Sequence, residues 1–211
     1  MKPTILASLA AAAALVLAPA ARAADDHSHH HHHEQKPAAQ EKPSSVQVKY
    51  DDTVLVTQDG KKLKLKSEVF GNRIVVLDFA YTTCTTVCPV LSAVLAKVQD
   101  QLGDKSGKEV QLVTITVDPA RDTPARLKQY ASKHGAKAGW LWLTGPTGTV
   151  NEVLKGFNAY APNFEDHPAM ILVGDPVSGS WTRFYGFSDP KDIMAKVEEL
   201  RAARSAAKLK G

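Results

Sequence analysis

Cysteine is almost missing from this chain: there are two, Cys84 and Cys88, in 211 residues. A scaffold stapled by several disulfides is therefore excluded. Outside the N-terminal tail the only histidines are His134 and His167, so nitrogen ligands for a metal are few. Net charge is also low, with 26 basic against 22 acidic residues giving +4. Lys2 and Arg22 lie in an acid-free stretch that reads as removable, and its loss takes the balance to +2. So small a charge argues against nucleic acid or a membrane surface as the partner. Beyond residue 23 no apolar run is long enough to span a bilayer, and no internal repeat is visible.

What is present begins with a targeting pattern. Lys2 supplies a basic start, Ile5 to Ala18 an Ala/Leu-rich core, and Ala21-Arg22-Ala23 a small-x-small cleavage site. Residues 1–23 read as a secretory signal. The rival reading is an uncleaved anchor, but the apolar run falls short of the roughly 20 residues a spanning helix needs. The expected location is the periplasm, where disulfides persist. Residues 24–45 are polar and carry His27, the run His29 to His33, Pro37, Pro43 and Ser44-Ser45. They read as a disordered tether. The imidazole run is either a collector of metal ions or a dispensable tag, and its place directly after a signal site favours the first.

The expected domain covers residues 46–205, with a basic tail at 206–211 and fraying from Arg201 onward. Thr53 to Val56 and Leu63 to Leu65 flank Asp59-Gly60, a hairpin signal. Ile74 to Phe79 is an apolar run, read as a buried strand. From Val87 the apolar residues 90, 91, 94, 95, 98 and 102 keep helical spacing. Val110 to Val117 is rich in β-branched residues and reads as the second core strand. Thr123-Pro124 opens a helix that Gly135 ends. Trp140 to Leu143 is a short strand or an apolar loop, and Val150 to Phe157 a helical stripe. Met170 to Val173 and Trp181 to Tyr185 are strands joined at Ser178-Gly179. Asp189-Pro190 starts the last helix. Strands separated by helices predict an α/β sandwich with parallel strand pairs and helices on both faces. A strand–Cys–helix unit at its start is the thioredoxin-like arrangement, here a three-layer sandwich with an N-terminal β-hairpin extension.

Cys84 and Cys88 fall where that strand hands over to a helix N-terminus, which lowers a thiol's pKa. A purely structural disulfide is a weak reading. A loop so short gains about 2 kcal/mol, against about 4.7 for one near 100 residues. At i, i+4 both sulfurs can face one side, as an exchangeable redox pair or as a chelate. Two thiolates are too few for a closed zinc site, but suit a soft, low-coordinate ion such as Cu(I), best with one more ligand. His134 reads as an ordinary helix-end histidine. His167 lies in Asn163-Phe164-Glu165-Asp166-His167-Pro168, the loop before a core strand, which in thioredoxin-like folds meets the cysteine helix. A plain surface residue is its other reading. Adjacent Asp166 reads equally as a group that orients the imidazole from behind or as a solvated surface acid.

Thr83-Cys84-x-x-x-Cys88-Pro89, Val117-Asp118-Pro119-x-Arg121-Asp122-Thr123-Pro124, Leu143-Thr144-Gly145 and Asp166-His167 together resemble the SCO/SenC family, thioredoxin-like copper proteins of cytochrome oxidase assembly. The resemblance runs from about Thr53 to Leu200. It implies a metallochaperone in which Cys84, Cys88 and His167 bind copper as Cu(I) or Cu(II). It also implies delivery of copper to the CuA centre of cytochrome c oxidase subunit II or to another copper enzyme, or reduction of that subunit's cysteines in concert with thiol–disulfide redox proteins. A copper-independent thiol–disulfide oxidoreductase is the alternative, with Cys84 and Cys88 as catalytic residues. The Asp118 to Pro124 segment is expected to shape the surroundings, with Arg121 and Asp122 pairing with each other or capping the helix. Two departures stand out. Thr85 replaces a proline common after the first cysteine. Pro168 follows the histidine where a hydroxyl residue is common, at the position of the thioredoxin cis-proline, so a cis His167–Pro168 peptide is an expectation to test.

Overall fold

A computed structural model describes residues 42–209. The expected signal segment, the histidine run and all but the end of the tether lie outside the described residues. The strands are β1 (Ser44–Ser45), β2 (Val54–Thr57), β3 (Lys62–Lys64), β4 (Ile74–Ala80), β5 (Val110–Thr116), β6 (Trp140–Thr144), β7 (Met170–Asp175) and β8 (Ser180–Tyr185). The helices are α1 (Val87–Leu102), α2 (Pro124–Lys133), α3 (Thr147–Gly156) and α4 (Pro190–Lys208). The strands form one sheet in the order β1-β8-β7-β4-β5-β6-β2-β3. β4, β5 and β6 run parallel, while β7 lies antiparallel to β4 and to β8. This is the expected three-layer α/β sandwich of thioredoxin-like type.

Alternation along β4 explains the layers, because successive side chains point to opposite faces. Ile74, Val76 and Ala80 enter one core with α1, α2 and α4. Val75, Leu77 and Phe79 enter the other with α3 and the turn Leu65–Phe70. The centre of the sheet is thus largely apolar on both sides, as parallel strands require, with Asp78 as the buried acid on β4. At its rim Gly174 lies opposite Trp181, and a Cβ there would come within 2.1 Å of the indole. No other residue leaves room for that ring.

The β2–β3 hairpin forms around Gly60 at φ 78°, one residue later on its first strand than expected, and joins the sheet through β6. Trp140 to Thr144 is a true strand, buried between β5 and β2. The wide turn Leu65–Phe70 has no local signal in the sequence; Leu65, Val69 and Phe70 bury themselves in the second core and hold it. Ser44–Ser45, placed by composition in the tether, pair with Arg183 and Thr182 at the sheet edge. The last helix does not fray at Arg201. It continues to Lys208 because Arg201 reaches Glu109 and Glu198, and Arg204 grips Asp175 and the carbonyl oxygens of Asn72 and Arg73. No cis peptide occurs among the described residues, so the His167–Pro168 bond is trans and that expectation is corrected. No helix among them is long and apolar enough to cross a membrane.

Candidate metal centre

β4 ends at Ala80, and its continuation Tyr81-Thr82-Thr83 leads directly into the cysteines. Both are free thiols, 7% and 1% exposed for Cys84 and Cys88 respectively. Cys88 sits in the first turn of α1. Thr86, the residue preceding that helix, makes no side-chain cap. The Cys84 sulfur takes the role instead, accepting the Cys88 amide at 3.3 Å. One of the unpaired donors of the helix N-terminus is thereby satisfied by sulfur.

The two thiols are unequal for physical reasons. Burial pushes the Cys84 thiol up, but hydrogen bonds from the Cys88 thiol, the Cys88 and Thr86 amides and the Tyr81 hydroxyl outweigh it and bring its pKa down to about 7. The helix dipole acts in the same direction. Deeper burial, the bond it gives to Cys84 and the negative charges of Cys84 and Asp78 drive Cys88 far up. Tyr81 rises to about 12, from burial first and then from both sulfurs and Glu165.

His167 follows the short turn Phe164–Asp166. Its Nδ1 lies 2.7 Å from the Phe164 carbonyl oxygen. A carbonyl only accepts, so Nδ1 carries the proton and the neutral ring keeps its free lone pair on Nε2. The ring stands edge-on to Tyr81, centroids 5.8 Å apart, and Phe164 packs on the same tyrosine at 5.0 Å. Tyr81 thus touches both the imidazole, through its ring, and Cys84, through its hydroxyl. The structure brings the two cysteines together and folds His167 to the same end of the sheet. It does not close them into one cluster: no group of three His, Cys, Asp or Glu near enough to hold a metal ion occurs among the described residues. Asp166 accepts a hydrogen bond from the Asn163 side chain at 3.2 Å; no contact between Asp166 and the imidazole is seen. His134 ends α2 as expected, its ring tilted against Tyr130 with centroids 4.3 Å apart, and burial lowers its pKa.

The segment after β5 does more than the sequence implied. Arg121 and Asp122 do not pair with each other, and Thr123, not Asp122, caps α2. Asp122 is buried and reaches back to the cysteine loop, accepting the Thr82 amide at 3.1 Å, the Thr82 hydroxyl at 2.5 Å and the Thr116 hydroxyl at 2.6 Å. Arg121 pairs with Asp118 at 2.9 Å and lies over the Phe164 ring at 5.4 Å. Sequence reasoning also passed over Asp78. It is wholly buried in β4, takes the Thr114 hydroxyl on one oxygen and leaves the other without a partner. Burial raises its pKa to about 7. A lone acid inside an apolar strand was the signal available for it. Two sulfurs and one imidazole, linked through Tyr81, make a soft donor set of low count.

A family model described as SCO1/SenC matches residues 39–202. A relative from Stutzerimonas stutzeri, whose name calls it a candidate copper-binding protein, is 39% identical over 79 residues, which is 37% of this chain and 38% of that protein. Against it the chain thus spans little over a third of the relative's length. Yeast Sco1, solved with copper bound, superposes with a TM-score of 0.60 at 26% identity over 75% of this chain and 95% of its own. BsSco, described as a member of the Sco family of cytochrome c oxidase assembly proteins in which a disulfide switch was identified, gives 0.61 at 26% identity over 74% and 95%.

Proposed function

The chain belongs to the SCO1/SenC family, and from that premise we propose that it is a periplasmic copper metallochaperone serving cytochrome c oxidase. Copper is cargo, held by Cys84, Cys88 and His167 and passed to the CuA site of subunit II or to another copper enzyme. Support comes from yeast Sco1, which was solved with copper bound and shares the fold. The observation that carries the reading is the seating of Cys84: its sulfur accepts the Cys88 amide in the first turn of α1, and Tyr81, which bonds to that sulfur, packs on His167. A thiol with a pKa of about 7 is in large part thiolate at neutral pH and meets the ion first. Cys88 gives up its proton as the ion arrives, since metal binding requires the thiolate. Tyr81 moves aside, and His167 offers Nε2 as the third donor. The exported location rests on the pattern of residues 1–23.

Titration of the reduced full chain with Cu(I) against a competing chelator tests this. Replacing either cysteine by serine should abolish tight binding. His167→Ala should weaken it by about tenfold or more, since losing even a group that only orients a metal ligand costs that much. Unchanged affinity in His167→Ala would refute the three-donor site. The unequal thiols favour a second reading, reduction of a disulfide in the copper-accepting protein. Cys84 thiolate attacks one sulfur of that disulfide and its partner sulfur leaves as thiolate. Cys88, once deprotonated, then attacks Cys84, releasing the second thiolate and leaving a Cys84–Cys88 disulfide. Two electrons pass to the target and none to copper. Turnover on a disulfide substrate that is indifferent to copper would favour it.

A further inference from the structure

We propose that Arg121 is a positioning residue for His167. The segment from Asp118 to Asp122 touches both halves of the site at once. Through Asp122 it ties down Thr82, two residues before Cys84. Through Arg121 it reaches the other half. The Asp118 carboxylate, itself buried, fixes the guanidinium at 2.9 Å. That places the guanidinium carbon 5.4 Å from the centre of the Phe164 ring, the geometry of a cation–π contact. Glu165, the next residue of the same turn, adds a favourable charge.

Phe164 is not an incidental neighbour. Its carbonyl oxygen takes Nδ1 of His167 at 2.7 Å and the His167 amide at 3.3 Å, and its ring packs edge-on against Tyr81 at 5.0 Å. Holding Phe164 therefore sets three things: the orientation of the imidazole, the nitrogen that keeps a free lone pair, and the closeness of the loop to the tyrosine beside Cys84. Arg121 never touches the imidazole. It acts through Phe164, and neighbouring Asp122 keeps the cysteine side in the same frame. A half-exposed arginine merely solvating the surface would not be anchored from behind by a buried carboxylate while lying over the residue that orients the ligand.

The inference rests on the copper reading only for its consequence, so the test reads the metal-free protein as well. In the reduced full chain, Arg121→Ala should speed amide hydrogen exchange at His167 by about two- to fivefold, what a partly exposed cation–π contact is worth. It should also shift the ring nitrogens of His167 in NMR spectra away from a pure Nδ1–H tautomer. Cu(I) affinity should fall by a similar factor. Arg121→Lys, which keeps the charge, should recover part of each effect. In a Phe164→Leu background, Arg121→Ala should change nothing further. Unaltered exchange and ring shifts in folded Arg121→Ala would overturn the proposal, and so would full additivity with Phe164→Leu. Should Arg121→Ala unfold the protein, Arg121→Gln gives the same readouts. If His167→Ala leaves copper affinity intact while Arg121→Ala still alters the His167 ring, the metal reading falls and the positioning role stands.

Discussion

Replacing Asp78 by Asn should make the protein's stability far less dependent on pH. Asp78 has no exposed surface, one oxygen takes only the Thr114 hydroxyl, and the other has no partner. Burial lifts its pKa from 3.8 to about 7. A carboxyl raised in the folded state favours folding most when protonated. Its contribution is therefore full below about pH 4 and is lost as pH climbs toward 7. At about 1.36 kcal/mol for each unit, the whole loss is about 4 kcal/mol. Between pH 5 and pH 8 the share is roughly 2.5 kcal/mol. With a urea slope near 2 kcal/mol per molar, the wild-type midpoint should drop by roughly 1.2 M over that range relative to Asp78→Asn. Cys88 on α1, Tyr130 on α2 and the more distant Cys84 titrate nearby, but they are shared by both proteins. His134, whose lowered pKa gives a trend of opposite sign, cancels likewise, and Asp175, also lowered, has finished titrating by pH 5. Urea unfolding of both reduced proteins at half-unit pH steps is the assay. Parallel profiles would show that Asp78 is ionised at no cost, and the reasoning from burial would fail.

Two further outcomes follow from the same neighbourhood. Alkylation of the reduced protein, followed by mass spectrometry, should show Cys84 reacting with a midpoint near pH 7, while Cys88 stays unreactive through pH 9; equal rates at the two thiols would contradict the inequality. Asp122→Ala should cost about 3 kcal/mol in urea unfolding, because the Thr82 amide and the Thr82 and Thr116 hydroxyls lose a charged acceptor. Asp122→Asn, which keeps one acceptor oxygen, should cost less, and an unchanged midpoint in the alanine variant would remove Asp122 as a tie to the cysteine loop.

The layers were legible because they depend on local pattern. Ile74 to Phe79 is apolar but for Asp78, Val110 to Val117 is rich in β-branched residues, and the helices carry caps at Thr123 and Asp189 whose side chains do accept amide protons. What failed locally was held by distant partners. Nothing between Leu65 and Phe70 announces a turn of helix; the space beneath it, filled by Tyr50, Phe157 and Trp181, does. Arg201 and Arg204 look like a frayed basic tail until Glu109 and Asp175 appear opposite them.

The same division runs through the site. The cysteines announce themselves by spacing, and their placement follows from one strand and one helix. His167 could be singled out because the expected domain holds only one other histidine, His134, but its placement relative to the sulfurs depends on how Tyr81 packs, and aromatic packing has no period in sequence. Arg121 and Asp122 were the hardest. Adjacent and of opposite charge, they suggest a pair. In the fold they point to different loops, because parallel pairing of β4 with β5 sets Ala80 level with Thr116. That register carries the residues after β5 alongside those after β4. Asp122 then meets Thr82, while Arg121 is left on the outer side, where the loop before β7 brings Phe164 within reach. The frame of the site is thus a consequence of strand register. A change that slipped β5 against β4 by two residues would keep every core side chain on its face and still separate Asp122 from the cysteine loop.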